Sequence, residues 1–399
     1  MRPLFLTAVA AVSAMGRGRD ATLAALCNRR SALAPCDFAA LRLPGHIGRV
    51  AGIEDHALPP GLAGFDCRNN RLADIALRCD GFAEAVADAR ARHGAGRVAV
   101  VVGTSTSGIL SSEDAYRRRD PATGALPEDF DYARTHDLFS LARFVRAALG
   151  LRGPALTLSC ACASSARSFI DARALIESGV CDAAVVGGAD SLCRMTLHGF
   201  ASLGLISPDP CRPCDAARSG ISIGEAAGFA LIERAEVAGG TGVALLGGGA
   251  TSDGYHMSAP DPTGTGAAGA MRQALESAGL EAEAVDYVNL HGTGTRANDA
   301  MEDAAVVAVF GTETPCSSTK AWSGHTLGAS GILEAAIAVL CIRHGLMPGC
   351  LGAAEPDPAF RSRILLDNMA APVRRVMSNA FGFGGINCSL LFGRAEAAR

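Results

Sequence analysis

The sequence lacks an excess of charge of either sign. Its 399 residues contain 36 Lys and Arg against 40 Asp and Glu, which gives a net charge of -4 at pH 7. Without such an excess, the chain has no overall field that would concentrate nucleic acid or anionic lipid at its surface. We therefore expect no nucleic-acid partner, and an acidic protein partner would have to bind a local basic patch.

Long apolar runs are also lacking, since none reaches the roughly 18 uninterrupted apolar residues of a membrane span. The first residues, LFLTAVAAVSA after Met1, Arg2 and Pro3, have the apolar stretch and the small residues of a secretory signal. A buried first strand explains the same residues, and we favour it because removing this segment would take a strand out of the predicted sheet. We expect a cytoplasmic chain without a membrane span.

Paired cysteine spacing is the third absence. The 14 cysteines are spread from Cys27 to Cys388, and such a scattered set is typical of reduced thiols in the cytoplasm. Cys211 and Cys214 have C-x-x-C spacing, but no second pair or nearby histidine completes a zinc set. We therefore expect no metal site and interpret this pair as a chance placement in a loop.

Low-complexity segments and linkers are absent as well, whereas hydrophobic residues make up 49% of the chain. Apolar runs bounded by glycine predict strands, and they alternate with segments whose apolar residues recur at helical intervals. The alternation predicts an α/β fold. In the first part of the chain, strands are expected at 97–103, 155–161, 182–188 and 228–233, and helices at 72–93 and 138–149.

The same order begins again after Glu233, without a linker between the two parts. This repetition predicts an internal duplication with a boundary near 235–243, in which residues 1–238 and 239–399 form similar halves that pack as one body. Only 112–135 is expected to form a long irregular loop. The second half is expected to have strands at 243–249, 284–290, 363–368 and 374–380, and helices at 269–280, 300–311 and 331–345.

Cys162 is the candidate nucleophile. The predicted strand at 155–161 runs directly into a helical pattern that ends at Gly179, so Cys162 should lie at a strand-to-helix turn. There, the helix dipole and free backbone N–H groups favour the thiolate, although a buried, inert cysteine is the alternative. No other cysteine opens a helix after a buried strand, and the neighbouring Cys160 should point into the core.

Two histidines, His291 and His325, lie in glycine-rich turns that lead into helices. The small neighbours would let a substrate approach closely, whereas a core histidine usually lies among large apolar residues. Lys320 and Glu334 frame His325 and would fix its orientation and protonation state, unless they are a surface lysine and a solvated glutamate. The turn around Phe383 exposes backbone N–H groups and carries an aromatic that could hinge, or it is merely a tight hairpin.

Four motifs occur in one order along the chain, namely CACASS at 160–165, HGTGT at 291–295, STKAWSGHTLGASG at 318–331 and NAFGFGGIN at 379–387. Together they resemble those of the elongating β-ketoacyl-acyl-carrier-protein synthases of the thiolase-like superfamily, over essentially the whole chain. The resemblance implies a five-layered αβαβα fold made of two similar halves, and either a homodimer or a heterodimer with a related synthase. It also implies no permanently bound cofactor, because the phosphopantetheine arm of acyl carrier protein delivers both the acyl and the malonyl group.

The resemblance also implies roles for individual residues. Cys162 would accept the acyl group, and the N–H groups of Cys162 and Phe383 would stabilise the oxyanion. His291 and His325 would stabilise the enolate formed when carbon dioxide leaves. The remaining matches are the supporting pair Lys320 and Glu334, the hydroxyls Thr293 and Thr295 that would bind the phosphopantetheine arm, and the carrier-docking arginines Arg68 and Arg71.

Several positions depart from the family pattern. Cys214 stands where tryptophan is usual, Ala226 replaces a glycine, and Arg296 occupies a position often held by proline. None of these changes removes a catalytic group. They suggest a specialised polyketide or aryl-polyene pathway rather than bulk fatty-acid synthesis.

Three other functions stay open. A chain-length partner subunit has the same fold but lacks the nucleophile, which Cys162 supplies here. A Cys-His thioester hydrolase would release free acid and would not require a carrier protein. A scaffold protein would have kept the fold and lost the activity, so it would not be acylated at Cys162.

Overall fold

The computed structural model describes residues 2–41, 43–234 and 241–396. The first half contributes five main strands, β1 (Leu4–Ser13), β2 (Val98–Gly103), β3 (Ala155–Leu158), β4 (Ala183–Asp190) and β5 (Ala226–Arg234). The second half contributes β6 (Thr241–Ser252), β7 (Tyr287–Asn289), β8 (Pro315–Ser317), β9 (Arg375–Gly382) and β10 (Ile386–Glu396). Shorter strands lie at Gly16–Arg17, Ala34–Pro35, His46–Gly48, Ile223–Gly224, Leu346–Met347, Arg363–Ile364 and Met369–Ala370.

The two halves have the same topology. Their strands lie in the orders β1-β5-β4-β2-β3 and β6-β10-β9-β7-β8. In each half the first two neighbouring pairs are antiparallel and the last two are parallel. This repetition confirms the predicted α/β fold made of duplicated halves. The predicted boundary between 238 and 239 lies outside the described residues and stays a prediction.

Two helices, α6 (Ser164–Glu177) and α11 (Ser330–His344), lie between the sheets, and each contacts strands of both halves. Outer helices cover the remaining sheet faces, so that the fold has five layers, αβαβα. The first sheet is covered by α2 (Arg68–Leu77), α3 (Phe82–His93) and α5 (Ser140–Ala148), and the second by α8 (Thr265–Ala278) and α9 (Arg296–Phe310). The other helices are α1 (Gly18–Cys27), α4 (Ile109–Arg117), α7 (Arg194–Ser202) and α10 (Lys320–Ser323).

The central helix α11 is apolar on all sides because it packs between the two sheets. Within the described residues, the stretch Leu327–His344 is long and apolar enough to cross a membrane, but 89% of it is buried inside the protein. A helix that is hydrophobic all round is expected in such a core position. The apolar segment near the start of the chain forms β1, which pairs along its length with β5 of the first sheet and, at Leu4 and Phe5, with β6 of the second.

Three predicted elements differ from the structure. The single helix expected at 72–93 is two helices, α2 and α3, because Asp80 and Gly81 between them have positive φ angles of 57° and 73°. The loop expected at 112–135 begins inside α4, whose buried Ile109, Ser112 and Ala115 share one face. The strand expected at 363–368 is limited to its first two residues.

Candidate active site

Cys162 lies in a tight turn between a strand and a helix, as its sequence context predicts. β3 ends at Leu158, Ala161–Ala163 form a 3-10 turn, and α6 begins at Ser164. Ala161 has a φ of 48°, which is unusual for a residue with a side chain. The Ser164 hydroxyl accepts from the Cys160 N–H at 3.0 Å and donates to the Ala161 carbonyl at 2.6 Å. These bonds hold the turn that presents Cys162 at the start of α6.

His325 contacts the nucleophile directly. Its Nε2 lies 3.0 Å from the Cys162 Sγ, and its Nδ1 lies 3.1 Å from the Ser330 hydroxyl at the start of α11. The backbone N–H of His325 donates to the Ser222 carbonyl at 2.7 Å. Contacts at both ring nitrogens thereby fix the orientation of the imidazole.

His291, like His325, comes from the second half of the duplicated fold, and it lies in the turn that follows β7. Its ring lies 5.2 Å from that of His325, nearly perpendicular at 82°. The Cys162 sulfur and one nitrogen of each imidazole lie within 4.8 Å of one another. The three side chains are almost fully buried, with exposed fractions of 2–6%. Two distant parts of the sequence therefore converge on one nucleophile.

Lys320 and Glu334 form a buried ion pair beside the histidines, with 2.5 Å between Nζ and Oε1. Lys320 is the only lysine among the 399 residues. Burial, and secondarily the charge of Lys320, hold the pKa values of His291 and His325 well below their usual range. Both imidazoles are therefore neutral near pH 7, and each has one N–H group to donate.

The electrostatics of Cys162 differ from the sequence-based expectation of a stabilised thiolate. Burial raises the pKa of the Cys162 thiol to about 12, whereas Lys320 and the backbone N–H of Phe383 act in the opposite direction. The start of α6 also favours the anion, but the loss of hydration outweighs these contributions in the free site. The resting nucleophile is therefore a thiol, and its proton must leave during attack.

The donor types of Cys162, His291 and His325 also match those of a zinc site. The surroundings do not fit a dication. The positive charge of Lys320, which lowers the pKa of both histidines, would also repel a bound cation. His291 Nδ1 has no hydrogen-bond partner in the described residues, although histidines that bind metals usually donate through their second nitrogen.

The turn that contains Phe383 packs against the nucleophile. A Cβ atom on Gly382 would lie 2.9 Å from the Cys160 carbonyl oxygen and 3.1 Å from the Cys162 nitrogen, so glycine allows this close approach. The Phe383 side chain is 37% exposed, and its ring lies 5.6 Å from that of Phe200. Its backbone thus faces Cys162 while its ring lies at the surface.

A cavity of about 420 Å³ leads to these residues. Its wall includes Cys162, His291, His325, Phe383, Thr293 and Thr295. The hydroxyls of Thr293 and Thr295 lie 3.0 Å apart. The structure therefore brings six of the predicted site residues to one cavity, with the pair Lys320 and Glu334 buried behind them.

Two acidic residues that sequence reasoning missed support the His291 turn from α9. The Glu302 carboxylate accepts from the backbone N–H groups of His291 (2.8 Å) and Gly292 (2.7 Å). Asp299 accepts from the N–H of Thr293 at 3.0 Å. Burial raises the pKa of both carboxyls, that of Glu302 to about 7. Their position directly after the glycine-rich turn was the available signal.

Asp190, at the end of β4, is a third missed residue. It is fully buried and accepts from the N–H groups of Ser105 and Thr106 at 2.8 Å each. It also accepts from the Gly328 N–H at 2.6 Å. It therefore ties the loop after β2 to the segment that follows His325.

Little of the Arg68 side chain is free to dock a carrier protein, because only 7% of it is exposed. Its Nε and Nη2 atoms donate to the fully buried Glu225 at 2.8 and 2.6 Å. Arg71 is more accessible, with 27% of its side chain exposed, but its guanidinium pairs with Asp66. Arg68 thus links the buried Glu225 to Glu54, which is 45% exposed.

The other cysteines named in the sequence analysis lie away from the cavity. Cys160 is partly buried against the central core. Cys211 and Cys214 are buried free thiols, and Cys214 donates its N–H to Asp299 at 2.9 Å. None of the three lines the cavity that contains Cys162.

Comparison with known proteins gives one consistent result. The sequence profile of the β-ketoacyl synthase N-terminal domain matches residues 1–238, and that of the C-terminal domain matches residues 243–354. Nodulation protein E of a Rhizobium species is 32% identical over 405 residues, which cover 98% of this chain and 99% of that protein. The 3-oxoacyl-(acyl-carrier-protein) synthase 2 of Staphylococcus aureus is 32% identical over 363 residues, 86% of each chain.

Among solved structures, the ketosynthase ApeO, in complex with its chain length factor ApeC from Xenorhabdus doucetiae, has the same architecture. It superposes with a TM-score of 0.88 and 38% sequence identity, and the alignment covers 98% of both chains.

Proposed function

Since this chain belongs to the β-ketoacyl synthase family, we propose that it extends a Cys162-bound acyl group with a malonyl unit and releases carbon dioxide. The observation that carries this proposal is the convergence of the Cys162 sulfur and one nitrogen of each histidine within 4.8 Å, at a cavity of about 420 Å³. A nucleophile with two neutral hydrogen-bond donors suits a reaction that forms first a thioester and then an enolate.

The first half-reaction is acyl transfer. The Cys162 sulfur attacks the thioester carbonyl carbon of the acyl carrier, and the carbonyl oxygen becomes an oxyanion. The backbone N–H groups of Cys162 and Phe383 donate to this oxygen, each worth about 3 kcal/mol in comparable sites. The carbon–sulfur bond to the carrier then breaks, and the carrier thiol leaves with the proton that the nucleophile lost. His325, 3.0 Å from the sulfur, is placed to relay that proton.

The second half-reaction is decarboxylative condensation. When the carboxylate of the malonyl group leaves as carbon dioxide, its bonding electrons form an enolate on the thioester oxygen. The neutral imidazoles of His291 and His325 donate N–H groups to that oxygen. The enolate carbon then attacks the Cys162 thioester carbon, the carbon–sulfur bond breaks, and the released Cys162 thiolate takes a proton from solvent water.

The supporting residues keep both histidines ready to donate. Lys320 helps to hold their pKa values low, and Glu334 balances the charge of Lys320 inside the core. Glu302 and Asp299 fix the backbone of the turn that carries His291 and Thr293. Because these groups act on the catalytic residues and not on substrate, they are positioning residues.

The substrates arrive on a carrier. Thr293 and Thr295 lie in the cavity wall, where their hydroxyls can bind the amides of a phosphopantetheine arm. The arm is a substrate group, so the proposal includes no resident cofactor. Arg71 remains a candidate docking residue for the acidic carrier protein, since part of its side chain is exposed.

The assembly and the pathway are further parts of the proposal. The relative ApeO is described in complex with a chain length factor, which supports a heterodimer with a related subunit over a homodimer for this chain. We assign this chain to the catalytic role in such a pair because Cys162 is present. A cytoplasmic location and a specialised polyketide pathway, of the aryl-polyene type, complete the proposal.

Incubation with a panel of acyl carrier proteins and malonyl carrier protein tests the function, with products read by intact mass. A synthase gives a β-ketoacyl thioester two carbons longer than the acyl donor. Release of free acid would show a thioester hydrolase. The absence of any adduct on Cys162, with a carrier panel and the related subunit present, would identify a scaffold.

A further inference from the structure

Arg296 stands where a cation is unfavourable for the helix that it begins. It is the first residue of α9, which has 15 residues, and the N-terminus of a helix carries partial positive charge. Proline, often found at this position in the family, suits the first turn because it fixes the backbone and needs no hydrogen-bond partner there. Residues that break a local rule of this kind are frequently functional.

No partner within the described residues explains the side chain. The Arg296 carbonyl accepts a hydrogen bond from Arg218 at 3.4 Å, but the exposed guanidinium makes neither a hydrogen bond nor an ion pair in this part of the chain. The other arginine nearby, Arg218, is buried and pairs with Asp357 at 2.6 Å. Hydrogen bonding to Arg218, and more weakly the charge of Arg296, lowers the pKa of Asp357. Asp357 is therefore the ion-pair partner of Arg218, and the Arg296 guanidinium has no hydrogen-bond acceptor in the described residues.

Arg296 lines the cavity that contains Cys162, and it is the only arginine or lysine in the described part of that wall. Exposure increases along the turn, from His291 and Thr293, which are 2% and 6% exposed, through the half-buried Thr295 to the exposed Arg296. The turn therefore runs from the reacting sulfur outward to the cavity mouth, and Arg296 lies at its outer end.

The only carboxylate among these described lining residues is already engaged. Asp253 accepts from the Asn387 side-chain amide at 2.6 Å and from the Asp261 backbone N–H at 3.2 Å. It makes no ion pair with Arg296. Both Asp253 oxygens thus have donors within the described residues, whereas the N–H groups of the Arg296 guanidinium have no acceptor there and are available to a ligand.

We propose that Arg296 binds the phosphate group of the phosphopantetheine arm while the thioester end of the arm lies at Cys162. This inference rests on the proposed function. The arm has a thioester at one end and an anionic phosphodiester at the other, in the same order as Cys162, the threonine hydroxyls and Arg296 along the cavity. A guanidinium presents two parallel N–H groups that match two phosphate oxygens.

The test compares malonyl-pantetheine with malonyl-phosphopantetheine, which differ only in the phosphate, using enzyme whose Cys162 is already acylated. We expect the wild-type enzyme to have a KM about three- to fivefold lower for the phosphorylated substrate, the size expected of one exposed charge pair. Arg296→Gln should raise that KM to the value for malonyl-pantetheine. The kcat should stay within about twofold because the contact is far from the reacting atoms. Arg296→Lys should keep part of the preference.

Arg152→Gln is the matched control. Arg152 is exposed and precedes β3, whereas Cys162 follows the other end of that strand. This variant should keep the full preference for the phosphorylated substrate. Since the Arg296 guanidinium makes neither a hydrogen bond nor an ion pair in the described residues and opposes the helix dipole, Arg296→Gln should fold with nearly unchanged thermal stability.

Two outcomes separate the inference from its premise. If Arg296→Gln condenses both substrates and still prefers the phosphorylated one as the wild type does, Arg296 does not bind the phosphate, and the condensing function stands. If the acylated wild-type enzyme condenses neither substrate, nor malonyl carrier protein, the proposed function fails and the inference fails with it.

Discussion

Replacing Lys320 with methionine removes one partner of the buried pair and leaves the carboxyl of Glu334 without its counter-charge. Burial already raises the pKa of Glu334 to about 7, even with the ammonium 2.5 Å away. Without Lys320, we expect this pKa to rise further, towards the values of about 8–9 known for carboxyls buried without a partner. Each unit corresponds to about 1.4 kcal/mol, so a rise of about two units lowers the free energy of unfolding by about 3 kcal/mol at alkaline pH.

The pH dependence of this loss follows from the direction in which the pKa of Glu334 is shifted. A carboxyl whose folded pKa is raised keeps its proton in the folded state at a pH where the unfolded chain, with a pKa of about 4.3, has lost it. Stability therefore falls as pH rises, and Lys320→Met should fall further than the wild type above about pH 7, with no difference expected near pH 5.

Urea unfolding at about pH 9 and about pH 5 measures the free energy of unfolding at each pH. The control is Lys320→Met combined with Glu334→Gln, in which neither position carries a charge. We expect this double variant to regain most of the lost stability at alkaline pH. A Lys320→Met protein that is equally destabilised at both pH values would refute this reasoning. So would a double variant that is no more stable than the single one.

Three other predictions follow from the site. By intact mass, Cys162→Ala should show no covalent acylation, while Cys160→Ala should retain it. An acyl adduct on the Cys162→Ala protein would disprove the assignment of the nucleophile. His291→Ala should slow condensation at least ~100-fold, the effect of losing one oxyanion donor, so the acyl-enzyme should persist after malonyl carrier protein is added. Loss of the acyl group from Cys162 at the wild-type rate would remove His291 from the mechanism. Arg68→Ala should lower the free energy of unfolding by about 3–5 kcal/mol because Glu225 would stay buried without its partner. A normal urea midpoint combined with a higher KM for the carrier protein would contradict this and support the docking role.

Cys162, His291 and His325, which the structure brings to one cavity, could be predicted because their signals are local. Cys162 lies between a strand and a helix, and each histidine lies in a turn of small residues. Such features need only the neighbouring sequence. The duplication could also be predicted, since the order of strands and helices is itself a one-dimensional pattern.

The roles of Glu302, Asp299 and Arg68 were not predicted, because each depends on how its helix packs. Glu302 and Asp299 have the spacing of a solvated helix face, and only the packing of α9 under the His291 turn shows that they bind its backbone. Arg68 has the pattern of an exposed basic helix, yet Glu225, 157 residues later, closes over it. The protonation of Cys162 likewise depends on burial, which the helix position alone does not determine.

The central claim is that loss of carbon dioxide from the malonyl group drives bond formation to an acyl group on Cys162. The most direct measurement uses malonyl carrier protein labelled in its free carboxylate, added to acylated enzyme in a single turnover. We predict that labelled carbon dioxide appears at the same rate as the β-ketoacyl product, one molecule for each acyl group lost from Cys162, and that Cys162→Ala gives no such product. A product that retains the label, or acyl groups that leave Cys162 as free acid while the malonyl group stays intact, would contradict the account.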